Sequence, residues 1–221
     1  MYKPALISGL LVAALLIFFS ADYFLNPEVD TLDAVQVKNY QGQKLSSIND
    51  FRENSIKGPQ NININNYTLQ ITGRVEKPQN FTYNSIIKNY KNYQKVVTLD
   101  CVEGWSATIL WRGVLVSDLI NEAKPLEDGK VVIFYAVDGY STSFPIEYLI
   151  DNEILMAYQM NNVTMPPERG FPFQLVAESK WGYKWVKWIT KIEVSNNTDY
   201  EGYWESRGYS NSGNLNESFI K

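Results

Sequence analysis

Cys101 is the sole cysteine of the chain and lies in the stretch TLDCVEGWSATILWRG, at the end of a predicted strand. Its thiol has three possible chemical uses. A free cysteine can be a small buried hydrophobe, or a nucleophile if a base or a cation lies nearby. It can also bind a soft metal, but one protein ligand cannot hold a free ion, so an organic cofactor would have to bring the other ligands.

The rest of the composition limits the chemistry that can surround this thiol. The 221 residues include no histidine, which excludes most zinc, haem and Ser-His or Cys-His catalytic schemes. A single cysteine cannot form an internal disulfide or a CxxC metal site. The formal net charge is -4 without a basic block, so neither nucleic acid nor an anionic membrane surface is an expected partner.

Short strands and a few short helices must position the thiol. Alternation in YTLQITGRV and the run KVVTLD predict strands, and Asp138-Gly139 is a turn pair typical of a hairpin between KVVIFYAV and YSTSF. Thr82 and Ser117 are the predicted N-caps of two short helices, and Pro145 the predicted first residue of a third. These signals predict an α+β fold with mixed or antiparallel sheets.

The chain divides by composition into four segments. The uncharged run Ala5 to Ala21 predicts an N-terminal transmembrane anchor within residues 1–25, and Lys3 before it orients the N-terminus to the cytoplasm and the domain outward. A cleaved signal peptide is the alternative, and it also exports the domain. The polar, Asn-rich residues 26–66 predict a tether, residues 67–210 the globular domain and residues 211–221 a disordered tail.

The sequence of the domain resembles the molybdopterin-binding domain of the sulfite oxidase family. The resemblance is closest to the compact bacterial and archaeal branch that includes the periplasmic methionine sulfoxide reductase catalytic subunit, and it implies that family's strand-rich fold. It rests on blocks that run in family order from Tyr67 to Tyr209: LQITGRVEKPQNFTYNSI, LDCVEGWSATILWRGVLVSDLI, AVDGYSTSFPIEYLIDNEILMAYQMN, PPERGFPFQLVAESKWGYKWVKWITKIEV and GYWESRGYS.

The resemblance implies a role for Cys101 and for the DGYST block. Cys101 would supply the protein sulfur to molybdenum, whose other ligands are the two dithiolene sulfurs of the pterin and oxo or water oxygens; tungsten stays open. Thr142 would lie near the metal and the pterin, with Ser141 and Tyr140 beside it. Glu103 and Tyr140 would handle protons, although Glu103 is equally suited to be a structural carboxylate.

The KWGYK loop is implied to wrap the pterin and its phosphate. Glycine lets the backbone approach closely, and two ammonium groups would offset the phosphate charge. A solvated strand edge is the alternative interpretation of the lysines. The five residues that carry the implied contact are Lys180, Trp181, Gly182, Tyr183 and Lys184.

Two departures from the family pattern bear on anion binding. Gln174 stands where many relatives carry an arginine that helps to hold the phosphate or an anionic substrate, and a neutral amide cannot replace a guanidinium in charge or geometry. Arg169 is the candidate to compensate, with a charge on a surface loop as its alternative. The histidines that contact the cofactor in some branches of the family are missing.

The function implied by the resemblance is two-electron oxygen-atom transfer on a small substrate such as a sulfoxide, sulfite or an N-oxide. No haem-binding or Fe–S segment is evident, so electrons would be exchanged with another protein, which in the methionine sulfoxide reductase branch is a membrane haem protein. The competing hypothesis is a membrane-tethered, cofactor-free domain of the same fold that binds a ligand or a partner protein.

Overall fold

The computed structural model of the protein describes residues 35–221. The predicted transmembrane helix in residues 1–25 and the first part of the predicted tether lie outside the described residues. Within residues 35–221, no helix has the length and apolar character needed to cross a membrane.

Strands dominate the described chain. They are β1 (Asn39–Tyr40), β2 (Gln43–Lys44), β3 (Thr68–Gly73), β4 (Gln79–Thr82), β5 (Tyr93–Asp100), β6 (Ser106–Leu115), β7 (Val131–Ala136), β8 (Ser141–Pro145), β9 (Leu155–Met160), β10 (Val163–Thr164), β11 (Gln174–Val176) and β12 (Ile189–Ser195). From Gln36 onward the α-helices are α1 (Tyr83–Asn89), α2 (Val116–Ala123) and α3 (Ile146–Asp151), with 3-10 turns at Pro167–Arg169, Gly182–Lys184 and Glu205–Arg207.

The first large sheet carries the predicted metal ligand at one end. Its strands follow the order β10-β9-β6-β5, with β11 also paired to β9, and all these pairs are antiparallel. The β5–β6 pair ends with Asp100 opposite Ser106, so the residues between them form the turn. In that turn the Cys101 N–H donates to the Trp105 carbonyl at 2.9 Å, and Gly104 has a positive φ of 85° that favours glycine. The turn therefore fixes the backbone of Cys101 at the end of the sheet.

The second large sheet has the order β4-β3-β12-β7-β8. The β3–β12 pair is parallel and the others are antiparallel, so the sheet is mixed. Apolar residues alternate along β3, where Leu69 and Ile71 are buried. The hairpin predicted at Asp138-Gly139 is confirmed by the antiparallel pairing of β7 with β8. A strand-rich, mixed fold with few short helices is therefore confirmed.

The helix boundaries agree in part with the predictions. The Thr82 hydroxyl caps α1 by accepting from the Ser85 N–H at 3.1 Å, as predicted. Ser117 is not a cap, because α2 begins at Val116 after Leu115, without a side-chain hydrogen bond to its first turn. Pro145 precedes α3 rather than opening it.

The predicted tether and tail are both more ordered than their composition indicates. Residues from Gln36 onward belong to one compact unit, and Ile48 is fully buried. Residues 211–221 pack on the predicted cofactor loop, since Lys180 Nζ donates to the carbonyl of Ser212 at 3.0 Å and to Asn214 Oδ1 at 2.5 Å. Polar segments without periodicity can still be ordered when side chains from other elements satisfy their carbonyls. The predicted domain limits of 67–210 are thus too narrow.

Candidate active site

A cleft of about 420 Å³ opens at the end of β5 and contains Cys101. Its walls come from distant parts of the chain: residues 51–58, the β5–β6 turn, the turn after β7, the segment 168–188, and two aromatic side chains near the C-terminus. The lining includes Phe51, Arg52, Glu53, Asn54, Ser55, Cys101, Glu103, Trp105, Asp138, Tyr140, Glu168, Arg169, Gln174, Gly182, Tyr183, Trp185, Lys187, Trp188, Trp204 and Tyr209.

The Cys101 side chain is 8% exposed and borders the cleft. Its Sγ accepts a hydrogen bond from Asn54 Nδ2 at 3.7 Å. Burial raises the pKa of the thiol, while a backbone hydrogen bond at Glu103 and the Asn54 amide act in the opposite direction. A bound metal cation would deprotonate such a thiol outright. Cys101 is therefore positioned as a single sulfur donor with an amide beside it.

Gly182 packs the predicted cofactor loop against the end of β5. A Cβ at this position would lie 3.3 Å from the Asp100 carbonyl oxygen and 3.5 Å from Cys101 Cα. Asp100 also forms a parallel bridge with Trp181. Gly182 thus allows the loop to pack closely against the backbone of Cys101.

Tyr140 and Tyr183 are linked to each other at the cleft. The Tyr140 hydroxyl donates to the Tyr183 carbonyl, and the Tyr183 hydroxyl donates to the Ser210 carbonyl at 2.8 Å. Burial raises the pKa of Tyr140 well above its ordinary value. Tyr140 therefore keeps its proton at neutral pH and acts as a hydrogen-bond donor that holds the loop.

Glu103 lies at the exposed mouth of the cleft. It accepts from Trp105 Nε1 at 3.1 Å and lies 3.9 Å from Arg52. These contacts, with the Trp105 hydrogen bond first, lower the pKa of the Glu103 carboxyl. Glu103 is therefore a carboxylate at neutral pH. It can accept a proton transiently, but it is not protonated at rest.

Lys184 and Thr142, two predicted cofactor contacts, lie outside the lining of the cleft. Lys184 is fully buried, and its Nζ lies 2.7 Å from Glu205 Oε1 and 2.9 Å from the carbonyl oxygens of Ser143 and Asn211. Thr142 Oγ1 donates to the same carboxylate at 2.5 Å. Burial lowers the pKa of Lys184, an effect that Glu205 opposes. The ammonium group is used by the protein and is not presented to an anion.

Lys180, Trp181 and Ser141 also lie away from the cleft lining. Lys180 binds the C-terminal segment and lies 4.5 Å from the centre of the Tyr148 ring. Trp181 Nε1 donates to the Glu217 carbonyl at 3.3 Å, and Ser141 Oγ accepts from a tyrosine hydroxyl at 2.9 Å. In the structure both ammonium groups donate to protein oxygens: Lys180 to the C-terminal segment, and Lys184 to Ser143, Glu205 and Asn211.

Arg169 lines the cleft but is not a surface charge. Its Nε donates to the Ile48 carbonyl at 2.8 Å and its Nη2 to the Phe51 carbonyl at 2.7 Å. The guanidinium also lies 4.1 Å from the centre of the Phe51 ring. Burial lowers its pKa. Arg169 thus anchors the cleft wall formed by residues 51–58.

Three groups of the cleft are not predicted by the sequence: Lys187, Glu53 and Asn54. Lys187 pairs with Glu53 at 2.5 Å, and Asn54 contacts the thiol. Lys187 lies in the KWGYKWVKW block, whose repeated Lys and Trp residues were the available signal. The Asn-rich segment around residue 54 carries no sequence signal for a cleft wall, because its polar residues show no periodicity.

The donor set fits a cofactor that brings its own metal ligands. Within residues 35–221, no group of three or more His, Cys, Asp or Glu side chains is placed to hold a metal ion. One polar group of the cleft wall also lacks a partner among these residues, the buried Ser55 hydroxyl. One thiol and an unpaired hydroxyl match a polar ligand that carries a soft metal.

Comparison with known proteins identifies the family. The model of the oxidoreductase molybdopterin binding domain family matches residues 56–204. The chain belongs to this family. Its members bind molybdopterin, and this is the cofactor that fits the cleft.

Relatives with curated names include several oxidoreductases. An uncharacterized oxidoreductase, YuiH, of Bacillus subtilis is 30% identical over 144 residues, which cover 65% of this chain and 72% of that protein. The protein-methionine-sulfoxide reductase catalytic subunit MsrP of Campylobacter jejuni is 29% identical over 164 residues, which cover 66% of this chain and 54% of that protein. An NADPH nitrate reductase of Emericella nidulans is 29% identical, and the chain covers 18% of its length.

A solved structure shares the fold. The crystal structure of the sulfane dehydrogenase SoxCD from Paracoccus pantotrophus superposes with a TM-score of 0.62 at 23% identity, over 70% of this chain and 43% of that chain. At this identity the similarity supports the fold alone. The fold thus also occurs within a longer chain.

Proposed function

We propose that this molybdopterin-dependent oxidoreductase carries out two-electron oxygen-atom transfer on a small oxo compound, with Cys101 as the protein ligand of the metal. The observation that carries the proposal is the lone thiol at the cleft, in a family that binds molybdopterin. The thiol contacts an amide rather than a base that would make it a nucleophile. The bound cofactor would supply the metal that exchanges an oxygen atom and an electron pair.

The residues of the chain would position and protonate the substrate. Tyr140 holds the loop at Gly182 through the Tyr183 carbonyl, so the wall beside Cys101 is rigid. Glu103 stands at the mouth, where it can pass protons between solvent and the cleft. For a sulfoxide, the balanced reaction breaks the S–O bond, takes up two protons and two electrons, and releases a sulfide and water.

We infer an external electron partner. The chain has no histidine and a single cysteine, which are the common ligands of haem and Fe–S clusters. A membrane haem protein is the partner that suits a domain anchored at a membrane. The apolar run after Lys3 supports such an anchor, with the N-terminus inside and the domain outside the cytoplasm.

Metal analysis tests the cofactor assignment. The full chain, produced in a host that makes molybdopterin, is expected to contain stoichiometric molybdenum, or tungsten where that metal is supplied. An absence of both metals, under conditions in which a known family member loads fully, would support the cofactor-free binding domain instead.

Replacing the thiol tests the ligand assignment. Cys101→Ser is expected to abolish reduction of sulfoxides by reduced viologen while the thermal unfolding midpoint stays unchanged, because a hydroxyl is nearly isosteric with the thiol. Ala107→Ser is the matched control, since it places a hydroxyl at a buried position of the same hairpin outside the cleft lining. Full activity of the Cys101 variant would refute the assignment.

A further inference from the structure

Gln174 is a cleft residue whose side chain the fold does not use. It lies on β11 and is 4% exposed. Its side-chain amide makes no hydrogen bond to any residue in the range 35–221. Gln174 also belongs to the cleft lining, and an amide without a protein partner is free to bond to a molecule in the cleft. Gln174 therefore points to a ligand in the cleft with which its amide pairs.

The charged groups of the cleft leave no surplus of positive charge. Three cationic and four carboxylate side chains line it. Lys187 is paired with Glu53 at 2.5 Å, and Arg169 gives two donors to backbone carbonyls. Arg52 is 78% exposed and lies 3.9 Å from Glu103. A negatively charged substrate would therefore lose its hydration without gaining a cation that is free of a protein partner.

We propose that the cleft selects an uncharged substrate with a polarised S=O or N–O oxygen, and that the Gln174 amide donates to this oxygen. The inference rests on the proposed function, because it names the substrate class of the same cleft. A sulfoxide or amine N-oxide oxygen is a strong acceptor without net charge, and it needs N–H donors but no counter-ion. Nitrate or sulfite instead suits a guanidinium, which a glutamine does not replace.

The preference for an uncharged substrate can be measured by comparing the reduction of a neutral compound with that of an anion. Dimethyl sulfoxide takes up two electrons and two protons, its S–O bond breaks, and dimethyl sulfide and water are released. Nitrate takes up two electrons and two protons, one N–O bond breaks, and nitrite and water are released. Reduced viologen is the electron donor in both assays. The wild-type protein is expected to reduce dimethyl sulfoxide with the higher kcat/KM.

Substitutions at Gln174 test which group recognises the substrate. Gln174→Met keeps the side-chain length but removes the donor, and it is expected to raise KM for dimethyl sulfoxide about 5- to 10-fold, with unchanged molybdenum content. Gln174→Arg adds a cation and is expected to shift the preference toward nitrate. Gln70→Met, at an exposed position of β3, is the matched control.

Binding of two unreactive probes supplies a readout that is independent of turnover. Four tryptophans line the cleft, so their fluorescence reports its occupancy: Trp105, Trp185, Trp188 and Trp204. Dimethyl sulfone, which is neutral, is expected to bind the wild type, and sulfate is not. Gln174→Met should weaken binding of the sulfone, and Gln174→Arg should acquire binding of sulfate.

Three results would overturn the inference. One is a wild-type protein that prefers nitrate or sulfate to the neutral compounds. Another is a Gln174→Met variant with unchanged KM and sulfone affinity. The third is a folded variant that loses its molybdenum, because Gln174 would then hold the cofactor. Failure of the proposed function looks different, since the wild type would lack metal while the two probes still report the charge preference of the cleft.

Discussion

Replacing Lys184 by methionine tests whether this lysine stabilises the fold or holds the cofactor. Lys184 and Glu205 are both fully buried, and three protein oxygens accept from the ammonium group. Methionine keeps an unbranched side chain of similar length but has no charge. In the variant, the buried Glu205 carboxylate keeps the Thr142 hydroxyl as its donor among residues 35–221.

The expected cost follows from the burial of both charges. Removing one partner of a buried ion pair costs about 3–5 kcal/mol, because the other charge remains desolvated. Lys184→Met and Glu205→Met should each lower the free energy of unfolding by this amount. The double variant leaves no buried charge at the pair, so its cost should fall short of the sum by about 3 kcal/mol.

Urea unfolding of the purified full chain in a mild detergent measures these differences, with tryptophan fluorescence as the signal. Lys191→Met is the control, because the Lys191–Glu193 pair, 2.9 Å apart, is partly exposed and should contribute less than about 1 kcal/mol. The folded double variant should retain molybdenum. Additive costs of the two single changes would refute the buried-pair argument, and loss of metal from the folded double variant would show that Lys184 holds the cofactor.

Three further changes test the corrected parts of the fold and of the site. Ending the chain after Ser210 removes the acceptors of Lys180. The free energy of unfolding in urea should therefore fall by at least about 1–3 kcal/mol, whereas removing a disordered tail would leave it unchanged. Arg169→Lys cannot reproduce the two hydrogen bonds of the guanidinium and should cost about 1–3 kcal/mol in the same assay, unlike Arg207→Lys at an exposed position. Burial lowers the pKa of Lys180 to about 8 from its ordinary value of 10.5. The unfolded chain therefore binds more protons between these pH values, and the stability of wild type relative to Lys180→Met should rise with pH across that window; a constant difference would contradict this.

The strands and the position of the thiol could be predicted because local patterns determine them. The run that ends at Asp100 alternates buried and less buried residues, and the turn at Gly104 has a short-range signal. The Asp138-Gly139 pair likewise predicts the β7–β8 hairpin. These features are determined by residues close together in the sequence, so the local pattern of residue types is enough to predict them.

The side chains of the cofactor loop could not be predicted in this way. Lysine has a long flexible stem, so the direction of its ammonium group depends on where acceptors lie in the fold. The acceptors of Lys184 come from residues 143, 205 and 211, and those of Lys180 from residues 212 and 214. The wall at Asn54 was missed for a similar reason, since Arg169 orders that segment from more than a hundred residues away.

The parallel pairing of β3 with β12 has a consequence for biosynthesis. The two strands are separated by more than a hundred residues, and the segment between them includes Cys101, Gln174 and Lys187. Such non-local pairing forms late, because a long loop must close before the contact is gained. A nascent chain that stops before Ile189 lacks one strand of the second sheet. We therefore expect molybdopterin to enter after β12 has paired with β3, and to stabilise the finished fold.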